Sequence, residues 1–155
     1  MQIHIASDHA GLIVKEHVQK VLESLGHEVI DHGANEYDKS DDYPDFIRPA
    51  AQAVREAYFS GKTDVRGIIF GGSGQGEAMV ANRVPGVRAA VWYGGDMRII
   101  LLSREHNDAN VLSLGARFMD KAVAEEAVKM WLDIPFSNDE RHMRRIKKID
   151  KTNDE

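Results

Sequence analysis

Five short apolar runs alternate with longer amphipathic stretches, and this alternation restricts the fold more than any other feature of the chain. The runs are 3–6, 29–30, 67–70, 87–92 and 111–114. Each is too short for a helix and is rich in β-branched or other apolar residues, so each reads as a buried strand. After the first, Leu12, Val14, Val18, Val21, Leu22 and Leu25 share one helical face, and Gly26 stops the helix. Pro44 suits the first turn of a second helix, which runs to about 57. The third runs from the glycine-rich segment 71–76 to about 82, where Pro85-Gly86 breaks it. The fourth covers 97–105. The fifth begins at Asp120, with Val123, Ala127, Val128, Met130 and Trp131 as its inner face, and ends before Pro135. A basic segment, 140–148, reads as the last helix. Strands alternating with helices predict an α/β fold, a parallel sheet covered on both faces in three α/β/α layers. At 155 residues the chain reads as a single domain over 1–150 with a flexible tail at 151–155.

Ligands in such folds bind beyond the carboxyl ends of the strands, where strand order reverses. The polar turns Ser7-Asp8-His9, 71–77 and 106–110 are all expected on that edge. The polar stretch 31–45 reads as a long loop, and long loops in compact domains are often functional. Composition narrows the chemistry. A net charge of −5 argues against general nucleic-acid binding, while leaving room for a local basic pocket. The absence of cysteine removes disulfides, thiolate metal sites and cysteine nucleophiles. The N-terminus carries no basic region followed by a long apolar run, and no segment approaches a membrane span. A cytoplasmic protein with no membrane partner is expected.

The segment Gly71-Gly72-Ser73-Gly74-Gln75-Gly76-Glu77 joins a predicted strand to a predicted helix. A glycine turn and a helix N-terminus can aim several backbone N–H groups at one anion. No lysine followed by Ser or Thr comes after the last glycine, and the spacing is not that of the dinucleotide fingerprint. A plain tight turn is the alternative, although four glycines in six positions exceed what a turn needs. Glu77 is either a favourable first-turn acid or a base that takes a proton and leaves an anion behind. Spacing alone favours the first reading. The helix N-terminus is expected to keep this carboxylate ionised. Ser73 can cap the helix or touch a substrate oxygen. Asp8-His9 is a cap with a surface histidine, or a functional pair. His106-Asn107 offers an imidazole for proton transfer. The other histidines form no metal spacing. Arg141, Arg144, Arg145, Lys147 and Lys148 are a solvated helix face or a phosphate clamp, with Arg141 and Arg145 on one face.

Together these motifs resemble one family across nearly the whole chain. The order Ser7-Asp8-His9-Ala10-Gly11, Asp42-Tyr43-Pro44, the 71–77 loop with Ala81-Asn82-Arg83, the run Ser103 through Asn110, Gly115-Ala116-Arg117, and Arg141-His142 with Arg145 is similar to that of the ribose-5-phosphate isomerase B family. The wider group includes allose- and galactose-6-phosphate isomerases. The resemblance implies a Rossmann-like sandwich with a five-stranded parallel sheet. It implies aldose–ketose isomerisation of a sugar phosphate through an enediolate, with no metal or organic cofactor. Many members place a cysteine base at the position of Gly71. This chain looks like the subgroup whose base is a glutamate after the last loop glycine, here Glu77. By the same resemblance, amides of Gly72, Ser73, Gly74 and Gly76 stabilise the enediolate oxygen. His106, with Asp8, assists ring opening, and Tyr43 and Asn107 contact the sugar. His9, Arg117, Arg141 and Arg145 hold the phosphate. The family builds each site from two subunits, so a homodimer or dimer of dimers is expected. Ribose 5-phosphate and ribulose 5-phosphate are the leading substrates. The alternatives are a tetrose 4-phosphate, allose or galactose 6-phosphate, or a phosphosugar-binding module without catalysis.

Overall fold

The computed structural model describes residues 1–151, so positions 152–155 of the expected tail lie outside the described residues. The strands are β1 (Gln2–Ser7), β2 (Glu28–Asp31), β3 (Val65–Gly71), β4 (Ala89–Trp92) and β5 (Val111–Gly115). The helices are α1 (Leu12–Ser24), α2 (Tyr43–Phe59), α3 (Gln75–Ala81), α4 (Arg98–Glu105), α5 (Lys121–Asp133) and α6 (Glu140–Ile149). The strands form one parallel sheet in the order β2-β1-β3-β5-β4, which bears out the expected α/β architecture. The three middle strands are buried almost throughout, because helices cover both faces; the edge strands β2 and β4 are more open.

Alternation along the strands divides the core in two. Ile3, Ile5, Ile68, Phe70, Leu112 and Leu114 pack toward α1, α4 and α5, around the buried Trp131. Ala6, Ile69 and Val111 pack toward α2 and α3 with Ile47, Ala50, Ala51 and Val54. Gly67 lets α2 come close on that second face: a Cβ there would sit 2.9 Å from a Val111 methyl and 3.2 Å from a Val54 methyl. Among the described residues no helix is long and apolar enough to cross a membrane.

Several expectations shift. Leu25 lies at the end of α1 and is 53% exposed. The long side chain buried on that helix is instead Lys15, only 1% exposed. Its ammonium donates to both Asp31 oxygens at 2.7 and 2.8 Å and to the Ala34 carbonyl at 2.7 Å, which explains how a lysine sits inside. On α5 the inner position belongs to Ala124, and Val123 faces outward. β4 starts at Ala89, because Val87 closes a turn onto the Val84 carbonyl. β3 extends into the glycine segment as far as Gly71, and a short 3-10 helix, Ala116–Phe118, follows β5.

Candidate active site

Strand order reverses between β1 and β3: the chain leaves β1 toward β2 on one side, while β3 lies on the other. The crevice above their carboxyl ends is where an open α/β sheet offers a ligand site. Both Asp8-His9 and the glycine loop stand there. The turn after β1 packs directly on β3, since a Cβ on Gly11 would lie 2.6 Å from the Phe70 Cβ.

Asp8 is buried, and its Oδ1 accepts the N–H groups of Ala10 at 2.9 Å and Gly11 at 3.1 Å. It therefore organises the turn before α1; the helix N-cap itself is Gly11. The His9 N–H donates to Asp41 Oδ2 at 2.8 Å, and its Nδ1 lies 2.6 Å from Asp41 Oδ1. The His9 ring also meets the edge of Tyr37 at a centroid distance of 5.7 Å. The 31–45 loop is thus folded back over the site. Its end carries Tyr43 onto the glycine loop, where a Cβ on Gly76 would lie 2.8 Å from the Tyr43 ring.

The glycine loop is fastened from below. Gly74 has φ +75°, and a Cβ there would crowd the backbone of Leu114 at 3.0 Å. Ser113 Oγ donates to the Gly74 carbonyl at 2.6 Å. Gly74 is the N-cap of α3, so Ser73 is not the helix cap; its Oγ accepts the Gln75 N–H at 3.3 Å. The Arg117 N–H donates to the Gly72 carbonyl at 3.1 Å, and its guanidinium lies beside Gly72.

Glu77, in the first turn of α3, is 4% exposed. Its carboxylate lies over Gly71, and a Cβ built on Gly71 would overlap it. Burial pushes the Glu77 pKa up, its own backbone N–H opposes this, and the nearby Asp8 charge pushes it further up. The helix terminus therefore acts in the expected direction, but desolvation outweighs it. The result is a buried carboxylate that lies over Gly71, at the head of the glycine loop, and is biased toward accepting a proton.

The third polar turn is not on this edge. His106-Asn107 follows α4 and precedes β5, so it lies at the amino ends of the strands. The Gly67 N–H donates to the Asn110 carbonyl at 2.9 Å, and the Asn110 N–H to the Arg88 carbonyl at 3.1 Å, fixing it beside the starts of β3 and β4. The expectation of one shared edge fails because this turn follows a helix that has already carried the chain back across the sheet. His106 stacks on His142, with centroids 4.2 Å apart and planes at 14°. His142 is buried, and its pKa is lowered by burial first and then by the neighbouring His106 and Arg141. Arg141 and Arg145 are exposed on α6 near this turn. A concavity of about 640 Å³ lies at this second edge, lined in part by Arg83, Arg88, Asn107 and Asp150.

One chain thus brings together Asp8, His9, Tyr43, Gly72, Ser73, Gly74, Gly76, Glu77 and Arg117, and holds His106, Asn107, Arg141 and Arg145 apart from them. Asp41 and the steric role of Gly71 escaped the sequence reading. No spacing links Asp41 to His9 across 32 positions. Asp8, His9 and Asp41 offer metal-ligand atoms within 4.8 Å of one another. His9 and Asp41 are bonded to each other and Asp8 Oδ1 to turn amides, and no step is assigned to a metal there.

The sequence pattern of a family described as Ribose/Galactose Isomerase matches residues 3–149. The chain is 40% identical over 147 residues to ribose-5-phosphate isomerase B of Mycolicibacterium paratuberculosis, covering 94% of this chain and 87% of that protein. Its fold matches the crystal structure of ribose-5-phosphate isomerase B from Mycoplasma genitalium with bound ribulose-5-phosphate, with a TM-score of 0.88, 38% identity, and coverage of 96% of this chain and 93% of that one. The Clostridium thermocellum enzyme gives a TM-score of 0.85 at 43% identity, covering 97% and 95%. On the sequence match and the shared fold together, the chain belongs to the ribose/galactose isomerase family.

Proposed function

We propose that the protein interconverts ribose 5-phosphate and ribulose 5-phosphate by proton transfer through an enediolate, with residues 1–150 acting as one isomerase domain. The observation that carries this reading is the Glu77 carboxylate, buried over Gly71 beside the glycine-loop amides. In the open-chain aldose, Glu77 takes the C2 proton and the electron pair moves to the C1 carbonyl oxygen. The loop amides stabilise the resulting oxyanion. Returning the proton to C1, while the O2 proton passes to O1, completes the ketose. A base with a raised pKa holds the proton more firmly between the two steps than an ordinary carboxylate does. His9 and Arg117 hold the phosphate from this chain. His106 and Asn107, with Arg141 and Arg145, serve the site of a second subunit, because they lie at the far edge of their own sheet. The names of the relatives and the ribulose-5-phosphate bound in the Mycoplasma genitalium structure support the five-carbon substrate.

Glu77→Gln is the direct test. Turnover is expected to fall by about 10²–10⁴-fold with substrate binding retained. A near-normal rate rules Glu77 out as the base. Comparing kcat/KM on four-, five- and six-carbon aldose phosphates tests the substrate, and a preference for a tetrose or hexose phosphate overturns the five-carbon assignment. Exchange of the C2 proton with solvent deuterium separates an enzyme from a binding module, which shows none.

A further inference from the structure

The amino edge of the sheet holds a second cleft, about 600 Å³ in volume, between the α2–β3 turn and the segment leading into α6. Its walls include Tyr58, Lys62, Thr63, Arg66, Arg104 and Asn138. Arg66 is half-buried, and its Nη1 donates to the carbonyls of Thr63 at 2.9 Å and Val65 at 2.8 Å. Among the described residues its Nε and Nη2 find no protein acceptor, and it forms no ion pair. Arg104 is similarly incomplete. Its Nη1 reaches Asp108 and the Ala109 carbonyl, both at 2.7 Å, and its Nε the Ile134 carbonyl at 3.3 Å, while Nη2 has no partner among the described residues.

The nearby acids are already engaged. Asp108 is shared by Arg104 and Arg88. Asp150 takes Arg88 and the Tyr58 hydroxyl. Asp64 pairs with the N-terminal ammonium at 3.3 Å. Burial lowers the Arg66 pKa, the Arg104 charge lowers it further and Arg88 adds to this, with Asp108 and Asp64 opposing. Guanidinium forks with unused N–H donors suit the oxygens of a phosphate group.

We propose that this cleft is a second anion site, binding a phosphate group between Arg66, Arg104 and Lys62. Within one chain it lies apart from the Glu77 crevice: Arg66 and Gly71 are five residues apart on β3, roughly 17 Å along the strand.

The test titrates the full-length protein with inorganic phosphate while following the arginine Nε–H signals by NMR. Saturable shifts are expected at Arg66 and Arg104, and they should persist in Arg117→Ala. Arg66→Gln should weaken the Arg104 response by about tenfold or more. Lys62→Ala, an exposed change that leaves the fold alone, should weaken it less. Silent Arg66 and Arg104 signals, or a response that does not saturate by about 10 mM, overturn the proposal. An Arg104 response unaffected by Arg66→Gln overturns it too. Repeating the titration with a hexose 6-phosphate identifies the source: about tenfold tighter binding supports a phosphorylated metabolite, and equal binding supports free phosphate.

Discussion

Glu77 and Gly71 share one volume. The carboxylate sits where any side chain at 71 would begin, so residue 71 can only be glycine while Glu77 keeps its place. Gly71→Ala is expected to displace the carboxylate and lower kcat by about 10-fold or more. In a Glu77→Ala background the same change should cost no stability, because the added methyl occupies emptied space; thermal unfolding of the double variant checks this. The raised pKa of Glu77 sets two signs. The proposed mechanism needs the carboxylate ionised, so the acid limb of the kcat profile is expected to be shifted upward from that of an ordinary carboxylate. A folded pKa above the unfolded one stabilises the protein at low pH, and that contribution is lost as pH rises through the folded value. At neutral pH the ionised carboxylate is therefore a cost, and Glu77→Gln should melt at a higher temperature than the parent while losing turnover. Asp41 holds His9 through two contacts, at 2.6 and 2.8 Å. Asp41→Ala is expected to raise KM several-fold with a smaller effect on kcat; an unchanged KM separates His9 from phosphate binding. None of these couplings is legible in sequence, because each joins side chains across a turn whose path only the fold defines.

At the scale of elements, β1 is joined to the residue just past β2 by a histidine pair. His4 Nδ1 lies 2.9 Å from His32 Nε2, an arrangement in which one ring donates and the other accepts. Burial, then the neighbouring His32, lowers the His4 pKa from 6.5 to about 4, with Glu28 opposing. A depressed folded pKa gives stability that is present above the unfolded value and lost as pH falls. Between pH 6.5 and about 4 the unfolded chain gains a proton that folded His4 refuses, so stability should decline across that window. His4→Asn is expected to flatten this limb in a series of melts. Most elements were legible from periodicity and local signals: five parallel strands, the interruption at Pro85-Gly86, and Pro44 in the first turn of α2. Lys15 was not, because a buried lysine needs Asp31 and the Ala34 carbonyl to converge on it, and no helical pattern encodes that convergence.

For the whole molecule, the arrangement of polar turns has a consequence for assembly. With Glu77 at one edge of the sheet and His106 at the other, a complete site of the proposed kind needs two chains. Mixing Glu77→Gln chains with His106→Ala chains, each nearly inactive, should restore about a quarter of the activity, since half of randomly paired dimers carry one intact site of two. No recovery after subunit exchange overturns the shared site. The alternating α/β architecture, the glycine loop and the acid that follows it can be read from the chain alone, because local periodicity and adjacent motifs carry them. Which polar turns meet depends on the folded arrangement of the sheet. Parallel strands send every strand-to-helix turn to one edge and every helix-to-strand turn to the other. The placement of His106 away from Glu77 follows from that geometry, and so does the burial that raises the Glu77 pKa.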